Sequence, residues 1–470
     1  MKNQKPPRRK TTALVTTEGQ EVPFKNEANG LSQRERIGFI ILIIFSLIAL
    51  TQRLFGQVPT PAPEQQKPIM ISGATIHTGT GQTIESGTVA FENGKITYVG
   101  SSASAPADKS KYEIINANGK HVYPGFIMTN SQLGLQEVSA VRATIDSDET
   151  GEFNPNIRSQ IAYNTDSEII PTYRFNGILL AEVAPVGGVI SGTSSVMQVE
   201  GWNWEDATHT KDVAIHITWP GIQKRRFDFE TFSVVNEPNA DYAKNVEEIN
   251  NFFNDAIGYS KLSPKVVNLK MEAMQGLLTG TQTLIMHITG AKEIIDAVKF
   301  AQEKGVKRIV VIAADDALKV ASFLKENSIP VIIPAVHDLP ARADDDIDRP
   351  YALPGLLQKA GVVVVFSHAD DLARGRNLPF YAGTAIAYGM DKEEALKGLT
   401  LYPARVLGID KTTGSIEVGK NATLFISDGD ALDFRGNRVT EAFIVGKRTV
   451  LNNKQQELYN RYSKKYGHVK

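Results

Sequence analysis

The chain has 470 residues with 51 basic and 52 acidic side chains and no cysteine. That length supports one large domain with a smaller companion. The balanced charge gives no general basis for nucleic-acid binding, and the missing thiols exclude disulfides, a Cys-based zinc site and a thiolate nucleophile.

Residues 1–36 are polar, rich in Lys and Arg and without apolar periodicity, and read as a disordered basic tail. An uncharged apolar run follows, Ile37-Gly-Phe-Ile-Ile-Leu-Ile-Ile-Phe-Ser-Leu-Ile-Ala-Leu50. It is short against the roughly 17–25 residues a spanning helix uses. The long basic segment before it and the absence of an Ala-x-Ala site after it favour a signal anchor over a cleaved peptide. We therefore expect a transmembrane anchor over 37–55. The excess of positive charge before it places the tail in the cytoplasm and the globular part outside, in the periplasm if the cell is bacterial. The Pro-rich segment 56–68 reads as a semi-rigid spacer.

From Ile69 the pattern turns to short strands. Gly87-Thr-Val-Ala-Phe-Glu92 and Lys95-Ile-Thr-Tyr-Val99 flank Asn93-Gly94, a type I′ hairpin signal. The same strand-and-turn character returns in 414–426 and 442–450. Neither set has enough strands to bury a core, so 69–124 and 405–450 are expected to form one composite β-sandwich. His77 lies in it and is assigned a structural or solvated role.

Residues 125–404 alternate strands with helices. Val122-Tyr-Pro-Gly-Phe-Ile-Met-Thr-Asn-Ser-Gln-Leu-Gly-Leu135 opens with a short apolar strand after a Pro-Gly turn. Later strands are expected at 283–287, 308–312, 330–334 and 362–366, with helices over 291–304, 315–326, 378–388 and 392–399. Near-continuous Val/Ile strands between amphipathic helices mean a parallel sheet covered on both faces. No Gly-rich phosphate turn favours an open nucleotide-binding sheet, so the expected fold class is α/β, a TIM (β/α)8 barrel with its chemistry at the C-terminal strand ends. Residues 223–260 read as a helical insertion and 451–470 as a polar C-terminal tail.

Several stretches resemble the amidohydrolase superfamily, in particular its imidazolonepropionase-like branch. Pro124-Gly-Phe-Ile-Met-Thr-Asn-Ser-Gln132 is similar to the family's first barrel strand, Pro-Gly-apolar-Ile-Asp-x-His-x-His. Pro185-Val-Gly-Gly188 and Gly201-Trp-Asn-Trp-Glu205 resemble a Gly-Gly loop and a Gly-Trp-x-Trp-Glu segment. Leu401-Tyr-Pro-Ala404 and Gly419-Lys-Asn-Ala-Thr-Leu424 match Leu-Asn-Pro-Ala and Gly-Lys-Asp-Ala-Asp-Leu. The resemblance spans about 69–450. It implies metal-dependent hydrolysis of non-peptide C–N bonds, with ligands from a first-strand His pair, a fifth- and a sixth-strand His and an eighth-strand Asp.

This chain departs from that set. Asn130 and Gln132 stand at the first-strand His positions, and amides are poor zinc ligands. The sixth strand ends Ile312-Ala-Ala314. His287 matches the fifth-strand His, and Asp370 matches the Asp, with His368 as the alternative for that slot. His337 follows the seventh strand and reaches either the pocket or solvent. A single divalent metal, zinc, would rest on His287, Asp370 and one of His337 or His368. The remaining histidines read as structural or solvated, with His216 buried on an apolar strand. Gly187, Gly188 and Gly192 read as a flexible loop, and Gly192-Thr-Ser-Ser195 lacks a nucleophile elbow. Two functions follow. One is a membrane-anchored C–N hydrolase with an altered site. The other is a non-catalytic barrel that binds a small ligand or partners an active homologous amidohydrolase.

Overall fold

A computed structural model describes residues 60–468, apart from 231, 264–265, 314–315, 343 and 369–371. Residues 59–470 make one compact unit. The expected anchor at 37–55 lies outside the described residues; among those described, no helix is long and apolar enough to cross a membrane.

The small domain is a sheet built from both ends of the chain. Its N-terminal strands are β1 (Ile69–His77), β2 (Thr83–Glu92), β3 (Lys95–Ser101), β4 (Glu113–Asn116) and β5 (His121–Pro124). Asn93 and Gly94 both have positive φ, 51° and 75°, as the type I′ turn between β2 and β3 requires. The described part of the expected semi-rigid spacer, residues 60–68, contacts the small domain. Ala62 is buried, and the Gln65 amide donates to Phe91 O at 3.1 Å and accepts from Gly94 N–H at 2.9 Å.

Eight further strands form the second sheet: β6 (Phe126–Ser131), β7 (Ile178–Val183), β8 (Ile190–Gln198), β9 (Thr208–Thr218), and then, after a hairpin of β10 (Gln223–Asp228) and β11 (Ser233–Pro238), β12 (Thr283–His287), β13 (Ile309–Ile312), β14 (Val331–Ile333) and β15 (Val364–Phe366). They neighbour one another in chain order. The sheet nearly closes: Thr129 Oγ1 donates to Phe366 O at 3.3 Å, and Ser367 Oγ donates back to Thr129 O at 2.5 Å. The C-terminal strands β16 (Leu424–Ser427), β17 (Val439–Ile444) and β18 (Lys447–Thr449) return to the small domain, where β16 pairs with β5.

The barrel is not eight equivalent β/α units, as the sequence led us to expect. β8 runs antiparallel to both β7 and β9, while the other neighbours are parallel. The connections explain it. A parallel crossover needs about a dozen residues or more, usually a helix. Only 184–189 link β7 to β8, and 199–207 link β8 to β9 with a single short helical turn, Trp204–Ala207. Gly192, expected in a loop, lies inside β8 with φ +146°; a Cβ there would sit 2.8 Å from Ile157 O. The insertion differs too: its first half is the β10–β11 hairpin, and only Tyr242–Ser260 is helical. The C-terminal tail carries a helix, Lys454–Tyr466.

The helices of the second half fall where periodicity put them, at Ala291–Glu303, Leu378–Ala387 and Lys392–Lys397. One is interrupted: Asp316–Lys319 and Ala321–Glu326 replace the single helix expected over 315–326, and its expected cap Asp315 lies outside the described residues. Inside the barrel, one apolar cluster takes a residue from every strand, from Ile127 of β6 through Leu180, Val196, Ala214 and Ile285 to Val365 of β15. Val406, Leu407 and Ile409 join this cluster.

Candidate functional site at the polar layer of the barrel

Side chains alternate along a strand with a period of two. Two residues beyond the inward-facing Leu180, Ala214 and Ile285 lie Glu182, His216 and His287. In the antiparallel β8, the position two before Val196 is Ser194. Four consecutive strands thus contribute one polar layer on the C-terminal side of the apolar one.

Its members are joined by hydrogen bonds. Glu182 and His216 have fully buried side chains, and His216 Nε2 lies 2.9 Å from Glu182 Oε1. Ser194 Oγ donates to the same oxygen at 2.7 Å. The other oxygen, Oε2, accepts from the main-chain N–H of Asn130 at 2.9 Å. His216 Nδ1 in turn lies 3.1 Å from His287 Nε2. A continuous path therefore runs from a buried carboxylate through two imidazoles to His287, which is half-buried.

Local backbone structure makes the first link. Met128 pairs with Ala181 and Ser131 with Val183, so residues 129 and 130 together oppose Glu182. This is a β-bulge, which releases a main-chain donor from the ladder. Asn130 sits in it at φ +50°, a region that Asn tolerates better than most residues. The freed N–H is the one that reaches Glu182.

The charges follow from these contacts. Burial alone would push the Glu182 carboxyl up, but His216, the Ser194 hydroxyl and the Asn130 N–H outweigh it and hold the group below its ordinary value, so it is ionised. Burial, reinforced by the neighbouring His216, pushes His287 down to about 3 against the small upward pull of Glu182. His287 is neutral near pH 7.

The residues named from sequence fall into different places. Asn130 is buried, with its side-chain oxygen Oδ1 unpartnered among the described residues. Gln132 lies past the end of β6 and is half-buried. Because of the bulge, strict alternation does not carry Asn130 and Gln132 onto one face. His368 is buried with Nδ1 2.5 Å from the Tyr381 hydroxyl. His337 is exposed, 2.7 Å from Thr384 Oγ1, and packs edge-on against the same Tyr381 ring. His337 and His368 are thus gathered around one tyrosine, while His287 belongs with His216. Asp370 lies outside the described residues. Among the described residues, no group of three His, Asp or Glu side chains could hold a metal. The donor set does not fit the zinc centre the resemblance implies: two amides stand at imidazole positions, and Nε2 of the remaining imidazole faces another histidine.

Sequence reasoning passed over Glu182 and read His216 only as buried structure. A signal for the first was present: Ile178-Leu-Leu-Ala-Glu-Val183 carries one acid in an otherwise apolar strand, and a buried charge must find partners.

Comparison with known proteins places this architecture. Residues 273–452 match the amidohydrolase family. The chain is 42% identical over 69 residues to the imidazolonepropionase of Picrophilus torridus, 14% of this chain and 18% of that one. It is 29% identical over 164 residues to the imidazolonepropionase of Shewanella baltica, 34% of this chain and 35% of that one. These alignments span about a third or less of the curated relatives' own length. In structure it is similar to an amidohydrolase from Thermotoga maritima, with a TM-score of 0.70 at 23% identity over 81% of this chain and 99% of that chain. The fold, an α/β architecture with a nearly closed eight-stranded barrel, is the amidohydrolase fold. Together these likenesses support an assignment to the amidohydrolase superfamily, on its imidazolonepropionase-like side.

Proposed function

We propose that this chain is an amidohydrolase-superfamily barrel that binds a small ligand without running the metal-dependent hydrolysis of C–N bonds typical of the superfamily. One observation carries the reading. Where metal ligands are expected there is a self-contained set of hydrogen bonds, with Glu182 accepting from Asn130, Ser194 and His216, and His216 meeting His287. A metal at this point would have to break the His216–His287 contact and find further ligands among amides. The protein acts either alone as a ligand-binding barrel or as the partner of an active homologue. The uncharged run at 37–50 and the basic tail before it support a membrane-anchored chain with the barrel outside the cytoplasm.

The competing reading is an altered hydrolase, supported by the family's C–N bond chemistry. Assay of the full-length chain in detergent against cyclic and linear amides, with zinc, manganese or cobalt added in turn, separates them. We expect no turnover above the metal-only control. Turnover that is abolished by His287→Ala would establish the hydrolase instead.

A further inference from the structure

The end of the barrel opposite the polar layer holds a cleft of about 410 Å³. Thr283 opens β12, and Arg308, Pro330 and Val363 stand immediately before β13, β14 and β15. All four line the cleft, so it lies at the N-terminal ends of four parallel strands. His287 closes β12 at the far end. The cleft walls carry three cations, Lys307, Arg308 and Arg405, and no Asp or Glu among the described residues that line it. Among the described residues, none of the three cations is in an ion pair. Asp410 and Glu417 act on Arg308 and Arg405 from outside, and neither lines the cleft.

Two of the cations are held in place by the chain. Arg308 Nη2 donates to the main-chain oxygens of Arg405 and Val406 at 2.8 and 3.0 Å. The Arg405 guanidinium carbon lies 5.9 Å from the centroid of the Tyr402 ring, whose hydroxyl donates to Glu394 Oε2 at 2.6 Å. A guanidinium fixed in this way loses little freedom when it meets a carboxylate or a phosphate. Val306, Ile329 and Val363 add apolar surface to the same cleft. The backbone gives a separate observation. Ser328 lines the cleft and holds φ +54°. It is the second residue after the helix Ala321–Glu326, where a left-handed glycine commonly ends a helix. The helix Ala291–Glu303 ends in that way, with Gly305 at φ +77°. Serine strains the backbone at this position and adds a hydroxyl without a hydrogen-bond partner among the described residues. Strain of this kind concentrates where chains bind ligands.

We propose that this cleft binds a small organic anion, a carboxylate or a phosphate monoester, with its oxygens on Lys307, Arg308 and Arg405 and its apolar body against Val306, Ile329 and Val363. Ser328 supplies a neutral donor to the same oxygens. The site lies at the other end of the strands from the polar layer, and it stands whether or not that layer holds a metal.

Phenyl phosphate, benzoate and benzamidine test it, because they share a ring and differ in charge. Calorimetry on the full-length chain in an uncharged detergent near neutral pH should give binding of the anions at least roughly tenfold tighter than benzamidine, the worth of one charge-assisted hydrogen bond. Phenyl phosphate should also bind about tenfold tighter than inorganic phosphate, which has no ring to bury. Binding of only one of the two organic anions would support the site and identify its head group. Lys307→Glu combined with Arg405→Glu changes two exposed side chains and should weaken anion binding at least about tenfold. Lys304→Glu, outside the cleft, should leave it unchanged. Ser328→Gly should raise the melting temperature and weaken anion binding, a pair of effects that loss of fold cannot give. Benzamidine binding as tightly as the anions, binding of neither anion, or an equal loss in Lys304→Glu would overturn the proposal.

Discussion

The molecule contains two imidazole pairs of nearly equal length in two different settings. In the small domain, His77 Nε2 and His121 Nδ1 are 3.0 Å apart; in the barrel, His216 Nδ1 and His287 Nε2 are 3.1 Å apart. Burial first, and then the partner imidazole, pushes His77 down to about 4 and His287 to about 3. What differs is the far end. His77 Nδ1 is buried without a partner among the described residues, and its ring stacks flat on Tyr123 with centroids 4.2 Å apart. His216 instead ends on a buried carboxylate that has two further donors. A histidine pair alone is packing material. Adding the carboxylate gives the pair a direction, and direction is what a binding site can use.

Removing the carboxylate should break that comparison most severely. In Glu182→Leu the Asn130 N–H, the Ser194 hydroxyl and the His216 Nε2–H all lose a buried acceptor. A loss of about 3–5 kcal/mol is expected, the range for breaking a buried charged hydrogen-bonded pair. Urea unfolding of the full-length chain reads it. A loss below about 1 kcal/mol would mean that the layer is hydrated rather than closed.

Acid tests both pairs together. His77 and His287 have folded-state values below the ordinary 6.5. The unfolded chain therefore takes up their protons first. Their neutral, buried state is without penalty above about pH 6.5, and stability falls as pH drops from there towards about 4. For two such groups the slope approaches roughly 2–3 kcal/mol per pH unit. The depressed Glu182 acts with the same sign at lower pH, its contribution being lost as pH falls through its folded value. Denaturation midpoints measured between pH 7 and pH 4 check this, and a flat profile would show that neither imidazole is held neutral. His77→Phe should reduce the slope by about one group's share, roughly 1.4 kcal/mol per unit.

Smaller effects separate the bulge from the side chain it carries. Asn130→Gly keeps the donor N–H and relieves the positive φ, so its stability should stay within about 1 kcal/mol of the parent. Asn130→Val places a β-branched residue at φ +50°. A loss of about 2 kcal/mol is expected there, because such residues are outliers in that region. Equal behaviour of the two variants would contradict the bulge. The least effect is expected at neutral pH from His77→Phe, less than about 1 kcal/mol. Its ring keeps the Tyr123 stack, and its unpartnered Nδ1 is removed.

Much of this could be read from the chain. Asn93-Gly94 announced its hairpin, Pro124-Gly-Phe-Ile-Met announced the first barrel strand, and helices such as Ala291–Glu303 followed their apolar spacing. These are local signals. The direction of β8 was not legible, because Pro185-Val-Gly-Gly looks like a loop and strand orientation depends on how little chain remains to cross the sheet. The β10–β11 hairpin escaped for a similar reason, since Gln223-Lys-Arg-Arg-Phe-Asp228 has no apolar alternation and is stabilised by its partner strand. In the site, burial of His216 was legible from its apolar strand, but its partners were not. Glu182 and His287 lie 34 and 71 residues away, and only the barrel brings them together. Asn130 and Gln132 were identified as departures from a metal motif. The bulge that turns the Asn130 main chain towards Glu182 has no sequence signature of its own.

The proposed function requires that hydrogen bonds between this chain's own residues, rather than a metal, hold Glu182, His216 and His287 together. Elemental analysis of the full-length chain, purified without chelators from zinc-supplemented medium, tests it most directly when paired with a zinc titration. The account predicts well under one metal per chain and no zinc affinity that depends on His287. One tightly held zinc per chain, lost in His287→Ala, would contradict it.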